Sequence, residues 1–576
     1  MNAIDLEVIY QSTLQIAREL TLNMLRTGYS TIIKESQDFT FAIFDGTGRM
    51  VAQGIPQPLH IGPLAAQVNE IRRRFRDTTE PGDAFIVNHP YQACQNHATD
   101  VTVISPMFAG ERLVGFIGNI AHKPDLGGKV PGTNSGDATD LFQEGLLIPP
   151  LKILRRGEIN GDVEAMICAN TRTPEVTWGD VKAQVNTNSY GLTKFAELFG
   201  KYGVDDVLAC WRRWMDLCEA ELRREIAKVP DGHYGPETDY LDDDGVDLTK
   251  PHRISASLEV AGDTLHFMLD SDTQARGPIN LRPCVSRNFI ECLVKMIFIP
   301  DLPVNDGLSR PVRVSYPPEG SLLNPRFPAP VNMYVRPSQV TTSVIMRVLA
   351  QALPGRVPAP GSAAGGSLSS AGRHPQSGRW YSQYEILNGG TGARPDGDGM
   401  SAMDELVVNV MNTPVEAIES EFPVRVERYE LARDSGGPGT FRGGLGVRRQ
   451  WRVLADETSV NLRMDRFKFS SRGVFGAKPA RPSQAVLNPG GAAERALTSK
   501  VAGLRLTRGD VLCVEFAGGG GWGDPFARDV ARVRDDVARG YVSQAAARDD
   551  YGVALGPDLE VDADATARLR REKTRR

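Results

Sequence analysis

Only eight histidines occur in this 576-residue chain, and four of them, His60, His89, His97 and His122, fall between residues 60 and 122. The sharpest pattern is Asn96-His97-Ala98-Thr99-Asp100, followed by Val101-Thr102-Val103-Ile104. A second histidine stands in Ala121-His122-Lys123-Pro124-Asp125-Leu126-Gly127-Gly128. The residues between them read as strand, turn at Gly110-Glu111, strand. A two-residue loop sets His122 opposite Thr99, next to Asp100. A three-residue loop with a bulge sets it opposite Asp100. In both registers imidazole and carboxylate meet at the open end of the hairpin, with Cβ atoms about 5–8 Å apart. His97 precedes Asp100 in the loop that enters the strand. Two imidazoles and a carboxylate suit a first-row divalent ion: neutral imidazole takes Zn, Fe, Mn or Ni, and the carboxylate tilts the choice toward Mn, Fe or Zn. Three protein ligands leave positions open for water or substrate. The same residues can also form a His/Asp hydrogen-bond cluster without metal, and spacing leaves both readings open.

Other catalytic signatures are absent. There is no G-x-x-x-x-G-K-[ST] phosphate loop, no G-x-S-x-G elbow and no H-E-x-x-H pair. The run Gly518 to Gly521, before Trp522-Gly523-Asp524-Pro525, reads as a tightly packed turn where no Cβ fits. Acidic side chains number 71 and basic ones 66, a net charge of −5, which argues against a cationic nucleic-acid surface. The seven cysteines are scattered and show no C-x-x-C pair, so free thiols in a reducing cytoplasm are expected. No apolar run approaches the roughly 18 residues of a membrane span. The acidic start Met1-Asn2-Ala3-Ile4-Asp5 lacks the basic region of an export signal.

These residues need elements to hold them. Leu6, Ile9, Ile16, Leu20 and Met24 predict a helix over 5–27 that stops at Gly28. Residues 38–51 predict a hairpin around Asp45-Gly46-Thr47-Gly48. A helix is expected over 64–76, ending in Arg72-Arg73-Arg74, and strands over 83–88. Residues 124–140 lack periodicity and predict a long irregular loop, a common place for function. Helix is expected over 180–228, short strands over 232–275 and helix again over 284–300. Residues 355–400, rich in Gly, Ser, Ala and Pro, read as linker. Strands are expected over 404–525, then charged, Ala-rich helix, with 568–576 as a frayed end. The expected class is mixed α/β (α+β) and multidomain: a metal-site domain over 1–226, a central α/β region over 227–355, a linker and β-rich region over 356–525, and a helical tail over 526–576.

A series of short motifs runs through nearly the whole chain. They are Asp38-Phe39-Thr40 to Asp45, Pro58-Leu59-His60-Ile61-Gly62, Asn88-His89-Pro90-Tyr91, His97-Ala98-Thr99-Asp100-Val101 and Ala121-His122 with Asp125-Leu126-Gly127-Gly128. Gln143-Glu144-Gly145-Leu146, Gly277-Pro278-Ile279-Asn280, Glu319 to Pro325, Asn412-Thr413-Pro414-Val415-Glu416, Asp434 to Gly439 and Gly518 to Pro525 follow. In order and number they resemble the B-type subunit of the hydantoinase and 5-oxoprolinase family, which also includes caprolactamase and ketone carboxylase subunits. The resemblance implies one divalent transition metal, Zn, Mn or Fe, on His97, Asp100 and His122, with Asp38 as a fourth ligand or a base. It implies that His60 and Asp125 orient the ligands and that Glu144 lines the site. It implies an A-type partner that binds ATP, in a hetero-oligomer, and phosphorylates a cyclic amide carbonyl. A water of lowered pKa at the metal then attacks the activated carbon. ATP-dependent cyclic amide hydrolysis is the leading expectation. A ketone carboxylase subunit is the alternative, and a non-catalytic scaffold subunit the second. The sequence departs from the family pattern at His89, where Asp is common, and at Cys94-Gln95-Asn96, where Gly-Gly-Thr is common. Both departures flank the ligand loop and point to a subfamily.

Overall fold

The run Phe39-Thr40-Phe41-Ala42-Ile43-Phe44 is apolar at almost every position, which suits a strand covered on both faces. A computed structural model of the chain describes residues 2–54, 57–403 and 407–574, and in it this run is β1 (Phe39–Asp45). With β2 (Met50–Gln53), β3 (Ala84–Val87), β4 (Asp100–Ala109), β5 (Arg112–His122), β6 (Leu151–Arg155) and β7 (Glu158–Ile159) it forms one sheet in the order β2-β1-β5-β4-β3-β6-β7. Successive residues of β1 face opposite ways. Phe39, Phe41 and Ile43 pack among residues of helices Ala3–Thr27 and Pro174–Tyr202. Ala42 and Phe44 pack against helix Ile61–Arg74. The first helix starts under the Asn2 side chain, which accepts a hydrogen bond from Asp5 N, and it buries Ile9, Ile16, Leu20 and Met24 as the spacing predicts.

Three further sheets follow, so the chain is mixed α/β with several layers. Strands Gly232–Leu241, His252–Ala261, Thr264–Ser271 and Val312–Ser315 share a core with helices Pro283–Phe298 and Val335–Ala352. Strands Gly366–Arg373, Trp380–Leu387, Glu457–Arg463 and Lys500–Thr507 form the third sheet. Strands Val424–Leu431, Val447–Val453, Gln484–Leu487, Arg495–Ala496 and Val511–Glu515 form the fourth. Leu368, Val460 and Leu462 of the third sheet meet Trp451, Leu512 and Val514 of the fourth in one core. Arg466, three residues past the end of strand Glu457–Arg463, forms a buried ion pair with Asp239 of the second sheet through two bonds, at 3.1 and 3.0 Å.

Several expectations need correction. The stretch 180–228 is two helices, Pro174–Tyr202 and Val204–Ile226, because Gly203 adopts φ 84°, where a helix cannot continue. The segment expected as a linker contains the hairpin Gly366–Arg373 with Trp380–Leu387. Its Gly-Ser-Leu-Ser-Ser-Ala-Gly sequence hides the alternation of a strand, since small side chains are used where neighbouring strands pack closely. The cysteines are not all free: Cys94 and Cys284 form a disulfide across 190 residues, and the other five are thiols. The tail is three helices, Val530–Ala538, Gln544–Tyr551 and Ala563–Thr574, and Arg570 is bound to the carbonyls of Tyr551 and Arg528. It is not frayed there; Arg575 and Arg576 lie outside the described residues. Among the described residues no helix is long and apolar enough to cross a membrane.

The glycine run behaves as its composition suggests. A Cβ on Gly518, Gly519, Gly520 or Gly521 would collide with backbone of Ser435, Thr391, Arg472 or Gly437. We expect Gly519→Ala to destabilise the protein by about 1–3 kcal/mol. Thermal unfolding beside Gly161→Ala, where the added carbon meets nothing within 4 Å, measures it. Equal midpoints for the two variants would contradict the tight turn.

Candidate metal centre

β4 and β5 bring the first three residues together. Next to the two-residue turn Phe108 faces Leu113 and Ala109 faces Arg112. The register then shifts between Met107 and Phe108, with Val114 as the extra residue. From Met107 onward the shift carries through the ladder, and Asp100 stands opposite His122. The turn length of one sequence register is thus combined with the pairing of the other. β1 pairs along β5, so Asp38, just before β1, arrives beside His122, whose backbone N–H donates to its carbonyl. His60 ends the short turn Pro58–His60 and leads into helix Ile61–Arg74.

Asp100 is the centre. Its Oδ1 lies 3.0 Å from both His97 Nε2 and His122 Nδ1, and its Oδ2 lies 3.4 Å from His60 Nε2. Asn96 Nδ2 donates to Oδ2 at 3.3 Å. Asp38 stands farther out, 3.8 Å from His60 and 3.9 Å from His122, and accepts from Gln57. All five of these acid and imidazole groups are buried. Burial pushes the Asp100 carboxyl up, but the His97 and His60 rings outweigh it and hold it well below the usual carboxylate range. Burial pulls His60 down, and Asp100 and Asp38 more than reverse that, so its pKa is raised. For His122 burial prevails and the pKa is lowered, which favours the neutral imidazole a metal requires.

These residues fit a divalent ion. Ligating atoms of His97, Asp100 and His122 all lie within 4.8 Å of one another. Atoms held about 2.1 Å from one ion at right angles lie about 3.0 Å apart, which is the spacing of Asp100 Oδ1 to both imidazoles. Two buried ring nitrogens, His122 Nε2 and His60 Nδ1, have no hydrogen-bond partner. The cluster lines a cavity of about 50 Å³. At roughly 10–15 Å³ per water centre, that space holds an ion with a few waters.

The other expected residues stand outside this cluster. Asp125 knots the 124–140 loop: it accepts from Gly127 N, Gly132 N and Arg172 N, and pairs with the Arg172 guanidinium at 2.9 Å. Glu144 accepts from the backbone N–H groups of Val331 and Asn332 at 3.0 and 2.7 Å, and burial pushes its carboxyl up to about 8. His89 caps the turn Pro90–Ala93 by accepting from Tyr91 N and Gln92 N.

The far wall of the cavity comes from residues the sequence reading passed over: Asn332, Tyr334, Gln339, Ser367, Tyr384 and Arg463. The Tyr384 ring stacks on His122 at 4.7 Å, and Tyr334 meets His97 edge-on at 5.0 Å. Gln339 carries a buried Oε1 without a partner. No spacing links these positions to residue 97. The one hint is the Pro-rich stretch 325–330, which marks irregular chain before Asn332.

Comparison with known proteins agrees with this architecture. The sequence profile of Hydantoinase B/oxoprolinase matches residues 2–525. The caprolactamase subunit beta of Pseudomonas jessenii is 32% identical over 586 residues, covering 98% of this chain and 99% of that protein. A crystal structure of the ATP-dependent caprolactamase of Pseudomonas jessenii superposes with a TM-score of 0.93 at 31% identity, covering 99% of this chain and 100% of that one. A nucleotide-free acetone carboxylase structure shares the fold, with a TM-score of 0.91 at 18% identity over 99% of this chain and 83% of that one. The chain belongs to the hydantoinase B/oxoprolinase family.

Proposed function

We propose that this chain is the metal-bearing subunit of an ATP-dependent enzyme that opens small cyclic amides, such as hydantoins, lactams or oxoproline-like rings. The observation that carries the reading is the buried His97, Asp100 and His122 triad at the end of one hairpin, open to a cavity. The caprolactamase relative is described as ATP-dependent and is named as a subunit. On this reading the ATP site lies in an A-type partner, in keeping with the relative's name as one subunit of its enzyme. The partner transfers the γ-phosphoryl group to the amide carbonyl oxygen. One water then adds to the activated carbon, the C–N bond breaks as the ring nitrogen takes a proton, and a second water hydrolyses the acyl phosphate left behind to carboxylate and phosphate.

A divalent ion on the triad, with Asp38 beside it, supplies Lewis acidity and lowers the pKa of water to near neutrality. The chain's own residues do the rest. His60, between Asp38 and Asp100, is placed to accept the proton that water loses. Asp38 shares that role. Glu144 holds the segment that carries Asn332, and Asp125 fixes the loop whose Thr133 carbonyl accepts from the Asn332 amide. The unpaired Oε1 of Gln339 favours an amide over a ketone, because it can accept a ring N–H that a ketone lacks.

The test is to isolate the tagged chain with its partner and assay the complex on lactams, hydantoins and ketones, with ATP, with and without bicarbonate. We expect an A-type subunit to co-purify and ring opening to need ATP but not bicarbonate. Ketone consumption that requires bicarbonate would replace this reading with carboxylation.

A further inference from the structure

We propose that Asn332 is a positioning residue that fixes the tautomer and ring angle of His97, and that Arg463 sets the orientation of the Asn332 amide. The inference rests on the reading of His97 as a metal ligand. His97 Nδ1 faces two oxygens, Asn332 Oδ1 at 2.9 Å and the Asn332 carbonyl at 3.2 Å. Both are acceptors, so Nδ1 carries the hydrogen and Nε2 presents its lone pair to the site. Nε2 then lies 3.0 Å from Asp100 Oδ1 with no hydrogen between them, a contact that a cation bound by both atoms stabilises, and the Thr99 hydroxyl lies 3.1 Å from the same nitrogen.

The Asn332 amide has one sensible orientation. Arg463 Nη1 donates to its Oδ1 at 2.8 Å, while its Nδ2 donates to the Thr133 carbonyl at 2.6 Å. Turning the amide over would break both bonds and put a donor against His97 Nδ1–H. The Arg463 guanidinium is held in turn by Ser367 Oγ and by the Tyr384 hydroxyl, at 2.8 and 2.9 Å. Tyr384 stacks on His122, so one arginine braces the surroundings of both imidazole ligands. Glu144 fixes the same segment from behind through the backbone N–H groups of 331 and 332. Asn332 and Arg463 are both buried.

A partner of this kind on a ligating histidine is worth about 10–100-fold in metal affinity. The experiment titrates metal-free protein with Mn²⁺, following the free-ion electron paramagnetic resonance signal, and records the visible spectrum of the Co²⁺-loaded form. We expect Asn332→Ala to weaken Mn²⁺ about 10–100-fold and to alter the Co²⁺ spectrum. Asn332→Asp keeps an acceptor for both His97 and Arg463 but sets an oxygen against the Thr133 carbonyl, and should bind Mn²⁺ more tightly than Asn332→Ala. If Asn332→Ala does not fold, Asn332→Gln, which displaces the amide oxygen by one methylene, should weaken Mn²⁺ about tenfold or more. Undiminished binding in Asn332→Ala, or in Asn332→Gln, with a normal His97→Ala loss, overturns the positioning role and leaves the metal site standing. Failure of the wild type to bind Mn²⁺, Co²⁺ or Zn²⁺ overturns both.

Discussion

Replacing His97 and His122 together with alanine will strip the chain of its metal and reduce turnover of the assembled complex by about a thousand-fold or more. The magnitude follows from the several kcal/mol of charge stabilisation a catalytic ion supplies, at about 1.4 kcal/mol per factor of ten. The two rings contribute the nitrogens nearest Asp100 Oδ1, so their loss leaves one carboxylate and the more distant Asp38 and His60. Elemental analysis of the purified protein should find about one Zn, Mn or Fe per wild-type chain and none in the double variant. The rings also help hold the Asp100 carboxylate ionised against burial, so alanine could weaken folding. A His97→Gln, His122→Gln pair keeps polar groups around Asp100 and separates the two effects. Unchanged metal content would sink the metal site. Lost metal with unchanged turnover would make this chain a scaffold.

Arg466→Met will cost about 3–5 kcal/mol of stability near pH 7, the usual penalty for stranding one member of a buried ion pair. Arg466 is fully buried, and both of its terminal nitrogens meet Asp239 on strand Gly232–Leu241. Burial pushes the Asp239 carboxyl up, but the Arg466 guanidinium outweighs it and keeps the pKa low. In the wild type the pair therefore stabilises above the unfolded carboxylate pKa, near 3.9, and that contribution fades as pH falls through the lowered native value. Without Arg466 burial prevails, the native pKa rises, and the sign reverses: the deficit grows as pH climbs from about 4. Scanning calorimetry should show a midpoint lowered by several degrees at pH 7 and by less near pH 4.5, where the stranded carboxylate adds little. An equal drop at both values would mean the loss is packing rather than charge.

The convergence of His97, Asp100 and His122 was legible because it is local. His97, Asp100 and His122 lie on one hairpin, and strand pairing has a fixed period, so sequence spacing limits how far apart they can be. Even there the spacing allowed two registers, and only the bulge at Val114 chose between them. The helix over 3–27 and the apolar β1 were readable for the same reason, since each buries a face whose repeat is visible in the sequence. The break at Gly203 was missed because apolar spacing continues across it, and the hairpin over 366–387 because its small residues show no alternation. The Cys94–Cys284 disulfide joins positions 190 residues apart, beyond the reach of any local pattern.

The residues around the triad behave in the same way. Asn332, Tyr384 and Arg463 reach His97 and His122 from parts of the chain more than 200 residues away, and no helical or strand period connects them. Motif order pointed to the chemistry, because ligand type is a property of side chains. The tautomer of His97, the stacking of His122 and the burial of Asp100 are properties of packing, and they exist only once the third sheet closes over the first.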